Sequence, residues 1–263
     1  MANIVLGFPN QAVTGVTLSG GTWNASYPQT NLLTTKLAQK ARTTGILAAA
    51  GTIQIDLGAT AVIGVIGLIA GNFESGSTYT VNGYTNADFA TGNVFTQSGT
   101  IHSTGVQQKD CILSLTNAAS ARYWKITVTN VAPATYTEIG RLFIGVKVAT
   151  TNNFSVGQQL GAETQSQIAQ SVSGVDYFDK RPNYRVFRCT LNWLSDSEAK
   201  TVILPFLRSA DITEEILVIP YPEDLGTAAG FQTAFLGRMR QLSAIEQPYA
   251  LQNAVALEFK ELL

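Results

Sequence analysis

Short stretches in which apolar and polar residues alternate recur through the first 150 residues of the chain. They occupy residues 53–57, 79–82, 125–129 and, in part, 142–148. A period of two is typical of a strand that buries one face, so these stretches predict strands of a β-sandwich. The glycine-containing apolar run at residues 64–71 predicts a buried strand. Turns are predicted at Gly71-Asn72, residues 74–77, Asn82-Gly83 and Gly92-Asn93.

A second pattern of strands begins after residue 180. Residues 184–193 alternate, and one face of this predicted strand carries Phe187, Cys189, Leu191 and Trp193, so we expect Trp193 to be buried. Further strands are predicted at residues 216–220, 234–242 and 255–259.

One helix is predicted between these strands. Ser195 and Glu198 form the S-x-x-E pattern of a capping box, which opens an amphipathic helix that is kinked or ends near Pro205. The polar run at residues 157–174 has no clear period and predicts a loop or an extended arm.

Composition divides the chain near residue 150. Of the 23 glycines, 17 lie at or before that residue, whereas 13 of the 18 acidic residues follow it. This shift predicts two domains, residues 1–150 and residues 151–263.

The balance of charge and hydropathy excludes several partners. With 45% hydrophobic and 13% charged residues, the chain is apolar enough to fold. A net charge of -1 gives no field for a nucleic-acid backbone, so we expect no nucleic-acid partner. The longest apolar stretch, residues 59–71, is shorter than the roughly 20 residues of a membrane-spanning helix, which predicts no membrane insertion. The first residues lack the features of a signal peptide, so synthesis and retention in a cytoplasm are expected.

Residues able to perform catalysis are scarce. His102 is the only histidine, and no metal-ligand spacing, phosphate-binding loop or nucleophile motif occurs. Cys111 and Cys189 each lie in a strand-like run, which favours buried thiols over a disulfide. The sequence therefore predicts a protein that is not an enzyme and that binds no metal or cofactor.

An ordered set of segments resembles discoidin-like, galactose-binding-like jelly rolls. In chain order these segments are Ala41-Arg42, residues 53–58, residues 79–81, residues 121–130 and residues 138–145. The resemblance covers roughly residues 20 to 150. It implies that the fold class is mainly β, with an N-terminal jelly-roll β-sandwich followed by a β-sandwich domain with one helix. The family's Asn-Leu turn is matched at Asn31-Leu32, but Thr34-Thr35 replaces the usual Asp-Gly and removes an oxygen ligand for calcium.

The whole arrangement resembles tail-tip proteins of long-tailed bacteriophages, of the distal-tail kind. Residues 8–10 and 23–28 precede the jelly roll, and the strands and capped helix after residue 179 are similar to tail-tube-like ring-forming domains. This resemblance implies a virion structural protein of the tail tip or baseplate, made in the host cytoplasm, whose partners are further copies of itself in a ring, other tail proteins and a host cell-surface glycan. The alternative is a carbohydrate-binding module protein outside a phage.

Residues in turn-like segments of the first domain are candidates for glycan binding. Sugar sites combine aromatic faces with fixed polar groups on loops, which selects Trp23, Tyr27, Asn72, Phe73 and Glu74. The competing interpretation is that Trp23 and Tyr27 only pack the chain entry onto the sandwich.

Charged residues of the second domain are candidates for subunit contacts. Basic strand faces are expected to meet the acidic loops of a neighbouring copy. The residues are Arg185, Arg188, Arg238, Arg240, Glu223 and Asp224. The polar run at residues 157–174 is expected to lie across that neighbour.

Overall fold

The computed structural model describes residues 2–13, 15–101 and 109–263, so His102 lies outside the described residues. The chain forms two compact units. The first contains the described residues up to 149 together with residues 217–235, and the second contains residues 150–216 and 236–263. The sequence did not predict the return of residues 217–235 to the first unit.

The chain is mainly β, and the predicted fold class is confirmed. In chain order the strands are β1 (Val5–Asn10), β2 (Thr17–Ser19), β3 (Ala41–Arg42), β4 (Thr52–Ile69), β5 (Thr78–Tyr84), β6 (Asn93–Thr100), β7 (Cys111–Thr129), β8 (Glu138–Ile139), β9 (Arg141–Ala149), β10 (Gln159–Glu163), β11 (Gln167–Gln170), β12 (Asp176–Asp179), β13 (Tyr184–Ser195), β14 (Ile216–Ile219), β15 (Phe235–Met239), β16 (Ile245–Tyr249) and β17 (Gln252–Glu261). Helical segments span Gln29–Leu33, Asp196–Glu198, Ala199–Ile203, Leu204–Ala210, Pro222–Asp224 and Ala228–Thr233. Among these residues, no helix combines the length and apolar character needed to span a bilayer.

Two long strands hold the first unit together. The first part of β4 pairs with the second part of β7, and after a bulge the rest of β4 pairs with the first part of β7 and with β9. Strands β2, β5 and β6 extend one layer, and β9, β1 and β14 extend the other. Side chains from both layers form one buried cluster that includes Ile53, Ile66, Leu113, Trp124 and Ile144.

Local sequence patterns account for most of this unit. Ile53 and Ile55 are buried on β4, and Trp124, Ile126 and Val128 are buried on β7, as the alternation predicts. The turn predicted at Asn82-Gly83 is wrong, because both residues lie inside β5. Gly83 packs closely there, since a Cβ would lie 3.3 Å from side-chain atoms of Ala121 and Trp124.

The second unit is a sheet with one continuous helical stretch. Its strand order is β10, β13, β17 and β15, and β16 pairs with the other part of β17. Both cysteines are unpaired and buried, Cys111 in the first unit and Cys189 here, and burial raises the pKa of each thiol to about 12.

The predicted capping box is confirmed. The Glu198 N–H donates to Ser195 Oγ at 3.2 Å, and the Ser195 N–H donates to Glu198 Oε2 at 3.1 Å. Helical backbone continues through Pro205 to Ala210, because the preceding turn, Ala199–Ile203, is a wider π-helical turn. Pro205 lacks an N–H and crowds the preceding turn of a regular helix, so local widening removes the expected break.

Trp193 is not buried, and that prediction is wrong. A bulge shifts the register of β13 against β17 between Leu191 and Leu194. The bulge adds a residue to the alternation, so Leu194 takes the inward position and Trp193 is 53% exposed. The indole lies beside an open cleft of about 450 Å³ that Glu198 also lines.

The polar run at residues 157–174 contains strands rather than a loop. Strand β10 pairs with β13, and β11 pairs with β12 in a separate two-stranded hairpin. All eight residues of β11 and β12 are exposed, so this part of the chain forms an extended arm.

The capping carboxylate gives a testable pH dependence. The Thr151 N–H donates to Glu198 Oε1 at 2.8 Å, and this bond together with those from Ser195 outweighs desolvation and lowers the pKa of Glu198 to about 2. A lowered folded-state pKa contributes stability that is complete above the ordinary value near 4.5 and is lost as the pH falls toward 2. Discounted for solvent screening, Glu198→Ala is expected to lower the free energy of unfolding by about 1 to 2 kcal/mol at pH 7.

Urea denaturation of the wild type and the variant at pH 7, 4 and 2.5 measures this effect. The difference between them is expected to shrink as the pH falls. Ser195→Ala, which leaves the bond from Thr151 in place, is expected to cost only about 1 kcal/mol. A difference that grows on acidification would contradict the assigned role of the carboxylate.

Candidate functional site

Three segments of the first unit meet where β3 and β8 pair. Arg42 is the register partner of Glu138. The Asn24 N–H donates to the Arg42 carbonyl at 2.8 Å, and the Arg42 N–H donates to the Tyr27 carbonyl at 3.0 Å. Backbone pairing therefore fixes the Tyr27 segment, Arg42 and Glu138 side by side.

The side chain of Arg42 lies between two tyrosine rings. Its guanidinium carbon is 4.3 Å from the centroid of Tyr27 and 4.2 Å from the centroid of Tyr136. Arg42 Nε donates to Glu138 Oε1 at 2.9 Å, and Nη2 donates to the same oxygen. Lys40 Nζ lies 3.3 Å from Glu138 Oε2. These contacts form one cluster, which we call the arginine–tyrosine site: Tyr27, Lys40, Arg42, Tyr136 and Glu138.

Charge pairing sets the ionisation of this site. Burial opposes the charged form of Glu138, but hydrogen bonds from Arg42 and Lys40 outweigh it and lower the pKa of the carboxyl. The hydrogen bond to Glu138 raises the pKa of Arg42. Both groups are therefore charged near neutral pH.

The arginine–tyrosine site retains polar groups that can bind a ligand. Within the described residues, Arg42 Nη1 makes no hydrogen bond, and Glu138 Oε2 accepts only from Lys40. Tyr27 remains 39% exposed. The partly exposed Tyr27, the N–H donors of Arg42 and a carboxylate oxygen of Glu138 therefore belong to one cluster.

Asn72 and Glu74 hold a neighbouring loop in place. Asn72 Nδ2 donates to the Tyr136 carbonyl at 3.1 Å, and Asn72 Oδ1 accepts from the Glu138 N–H at 2.7 Å. Asn130 links the two predicted residues, because its Oδ1 accepts from the Glu74 N–H and its Nδ2 donates to the Asn72 carbonyl. The side-chain amide of Asn72 therefore fixes the backbone of Tyr136 and Glu138.

Phe73 and Trp23 are placed differently from the prediction. Phe73 is fully buried in the core, so the prediction that it binds glycan is wrong in this structure. Trp23 is half-buried against the same core, and its Nε1 donates to the Gly20 carbonyl at 2.9 Å. The ring of Trp23 packs the chain entry, as the competing interpretation held, whereas the ring of Tyr27 remains accessible.

Sequence reasoning missed Arg42, Tyr136 and Glu138 as site residues. Arg42 and Glu138 lay within segments that carried the family resemblance, but 96 residues separate them. Their pairing depends on β3 meeting β8, which no local pattern shows.

Three of the arginines predicted to contact other subunits have acidic partners within the chain. Arg185 pairs with Glu261, and Arg188 and Arg240 share Glu163 and Glu258. The prediction assumed that these arginines pair with acidic residues of a neighbouring copy. That assumption is wrong, because their acidic partners lie in the same chain.

The other predicted subunit-contact residues lie elsewhere. Arg238 is exposed on β15, whereas Glu223 and Asp224 lie in a short helical turn that belongs to the first unit. A role for any of the six residues between copies stays a prediction.

No set of three or more His, Cys, Asp or Glu side chains that could hold a metal occurs within residues 2–13, 15–101 and 109–263.

No protein-family model and no curated protein matches this chain. Solved structures similar to it include the family 32 carbohydrate-binding module of NanJ from C. perfringens in complex with galactose (15% identity, 54% of this chain, 98% of that chain, TM-score 0.41). A GH29 fucosidase from Ruminococcus gnavus in complex with fucose (16%, 54%, 27%, 0.42) and SpGH29 (14%, 52%, 28%, 0.39) are also similar. The chain spans less than a third of the length of the two GH29 structures.

Proposed function

We propose that the first unit is a carbohydrate-binding module and that it holds a sugar at the arginine–tyrosine site without cleaving it. The observation that carries the proposal is the guanidinium of Arg42, fixed between the rings of Tyr27 and Tyr136 and paired with Glu138.

The chemistry of the site matches a pair of neighbouring sugar hydroxyls. Arg42 Nη1 supplies donors to one hydroxyl oxygen, and Glu138 Oε2 accepts from the other hydroxyl. The exposed part of Tyr27 offers an apolar surface to the C–H groups of the ring. Binding sites of this kind combine an apolar surface with a few fixed polar groups.

The site is arranged before any ligand arrives. Two cation–π contacts and the ion pair restrict Arg42, and the Asn72 amide holds the backbone beneath Glu138. Ordering side chains costs binding free energy, so a preformed site keeps more of the energy of its hydrogen bonds.

A glycan array probed with the full chain, followed by calorimetry on the sugars retained, tests the proposal. Arg42→Met and Glu138→Gln are each expected to weaken binding at least tenfold, because a charged hydrogen bond contributes about 1.5 to 3 kcal/mol.

Arg122 provides a matched control in the same unit. Arg122 Nε lies 2.7 Å from Asp56 Oδ1, and its guanidinium lies 5.0 Å from the centroid of Tyr123. Arg122→Met thus removes a similar ion pair and ring contact away from the site, and binding is expected to stay unchanged. The proposal fails if no glycan is retained, or if Arg42→Met binds as tightly as Arg122→Met.

A second candidate function is that of a structural protein in the tail tip or baseplate of a bacteriophage virion. Such a protein assembles into a ring with other tail proteins and displays the module toward a host-surface glycan. The exposed β11–β12 hairpin favours it, because apolar side chains in water mark contact surfaces. Electron microscopy of the concentrated chain tests it, since rings are expected and single particles of one copy would count against it.

A further inference from the structure

One face of the β11–β12 hairpin combines an apolar pair with an acid. Ile168 pairs with Phe178, and Gln170 pairs with Asp176. Because directly opposed residues and residues two apart share a face, Ile168, Phe178 and Asp176 lie on the same side of the hairpin. Ile168 is 67% and Phe178 is 70% exposed. Within the described residues, the carboxylate of Asp176 has no hydrogen-bond or ion-pair partner.

The hairpin lacks a core of its own. Among the strands that the structure describes, these two pair only with each other. The connecting turn leaves Val172 and Val175 exposed as well. An isolated two-stranded hairpin is marginally stable in water, so this segment gains stability when its apolar face is covered.

An apolar groove in the same unit offers a complementary surface. Its volume is about 450 Å³, and its apolar lining includes Leu204, Leu207, Leu242 and Ile245. Leu204 and Leu242 are exposed at its opening. Arg208 also lines the groove one helical turn beyond Leu204, and its guanidinium has no acidic partner within the described residues.

Asn253 in the groove lining is a buried donor without an acceptor. Its side chain is nine-tenths buried, and its Nδ2 has no hydrogen-bond partner within the described residues. An unpaired buried amide is unfavourable by about 1 to 3 kcal/mol.

We propose that the β11–β12 hairpin of one copy of this chain docks into this groove on a second copy. Ile168 and Phe178 pack against the leucines, and Asp176 pairs with Arg208. The spacing agrees, because residues two apart on a strand lie about 6.6 Å apart and residues four apart on a helix lie about 6 Å apart. Hairpin and groove are different surfaces, so the contact is head-to-tail and builds a ring or an open chain.

This proposal goes beyond sugar binding and does not depend on it. It deepens the second candidate function by naming the contact between copies, and it concerns the second unit alone.

Light scattering after size-exclusion chromatography, over a hundredfold range of concentration, tests the proposal on the full chain. The wild type is expected to form oligomers. Phe178→Asp and Leu204→Asp are each expected to raise the concentration at half-dissociation at least tenfold. Both side chains are exposed, so unchanged circular dichroism and melting are expected.

Tyr177→Asp is the matched control, because Tyr177 is similarly exposed on the other face of the same hairpin. It is expected to leave assembly unchanged. Asp176→Arg and Arg208→Asp are each expected to weaken assembly, and the double variant is expected to restore it. A mixture of Phe178→Asp and Leu204→Asp chains is expected to form dimers but nothing larger, because each dimer joins one intact hairpin to one intact groove.

Each contrary result has a distinct meaning. A wild type that stays monomeric at every concentration overturns this proposal and the second candidate function, and leaves sugar binding standing. An oligomer that resists Phe178→Asp, that Tyr177→Asp disrupts equally, or that the charge reversal does not restore overturns the hairpin contact alone.

Discussion

Leu194→Ala is expected to lower the free energy of unfolding by about 2 to 5 kcal/mol, whereas Trp193→Ala is expected to cost less than about 1 kcal/mol. Leu194 is buried at the position that the β13 bulge turns inward, and Trp193 is half-exposed. Truncating a buried leucine removes apolar burial and leaves a cavity, but truncating an exposed side chain leaves water in its place.

Urea denaturation followed by circular dichroism measures both variants. For Trp193→Ala, hydrogen exchange replaces circular dichroism, because loss of the indole can itself alter the signal. Equal destabilisation by the two substitutions would show that the register on both sides of the bulge is misplaced. Phe187→Ala serves as a reference, since Phe187 is fully buried on the same strand before the bulge.

Arg141→Met is expected to destabilise the first unit by about 2 to 4 kcal/mol. The side chain of Arg141 is almost fully buried, and its Nη1 donates to the Ala12 carbonyl at 3.1 Å and to the Leu32 carbonyl at 3.3 Å. Methionine preserves much of the volume but supplies no donor. The two buried carbonyls then lose a charged partner, and the segments that contain them lose their tie to β9.

Thermal unfolding and hydrogen exchange measure this effect, with faster exchange expected around residues 12 and 32. Arg122→Met is the comparison, because its ion pair with Asp56 is partly exposed and such pairs contribute at most about 1 kcal/mol. If Arg141→Met and Arg122→Met lower the melting temperature equally, the buried guanidinium of Arg141 does not hold these segments to β9.

Features set by neighbouring residues could be predicted from the sequence. The capping box depends on Ser195 and Glu198, three positions apart, and the alternation along β7 depends on side chains in one strand. The burial of Cys111 and Cys189 follows from the same apolar patterning. In each case the interaction that determines the structure lies within the segment that shows the pattern.

Features set by distant contacts could not be predicted. Alternation runs unbroken through Trp193, and only the pairing of β13 with β17 reveals the bulge. Tyr27 could be selected as a candidate from its turn-like segment, but Arg42 and Glu138 surround it only after β3 and β8 meet. The arginines of the second unit were assigned to a neighbouring copy because their acids, such as Glu163 and Glu258, lie far away in sequence.

The return of residues 217–235 to the first unit affects how the protein is made on the ribosome. Strand β1 pairs with β9 on one side and with β14 on the other. The pairing of Val5 with Ile219 cannot form until residue 219 has been synthesised. Until then one edge of β1 presents unpaired N–H and C=O groups, which can pair with strands of other nascent chains. The first unit therefore completes its folding only after most of the second has been translated, and a fragment ending at residue 149 keeps that edge open.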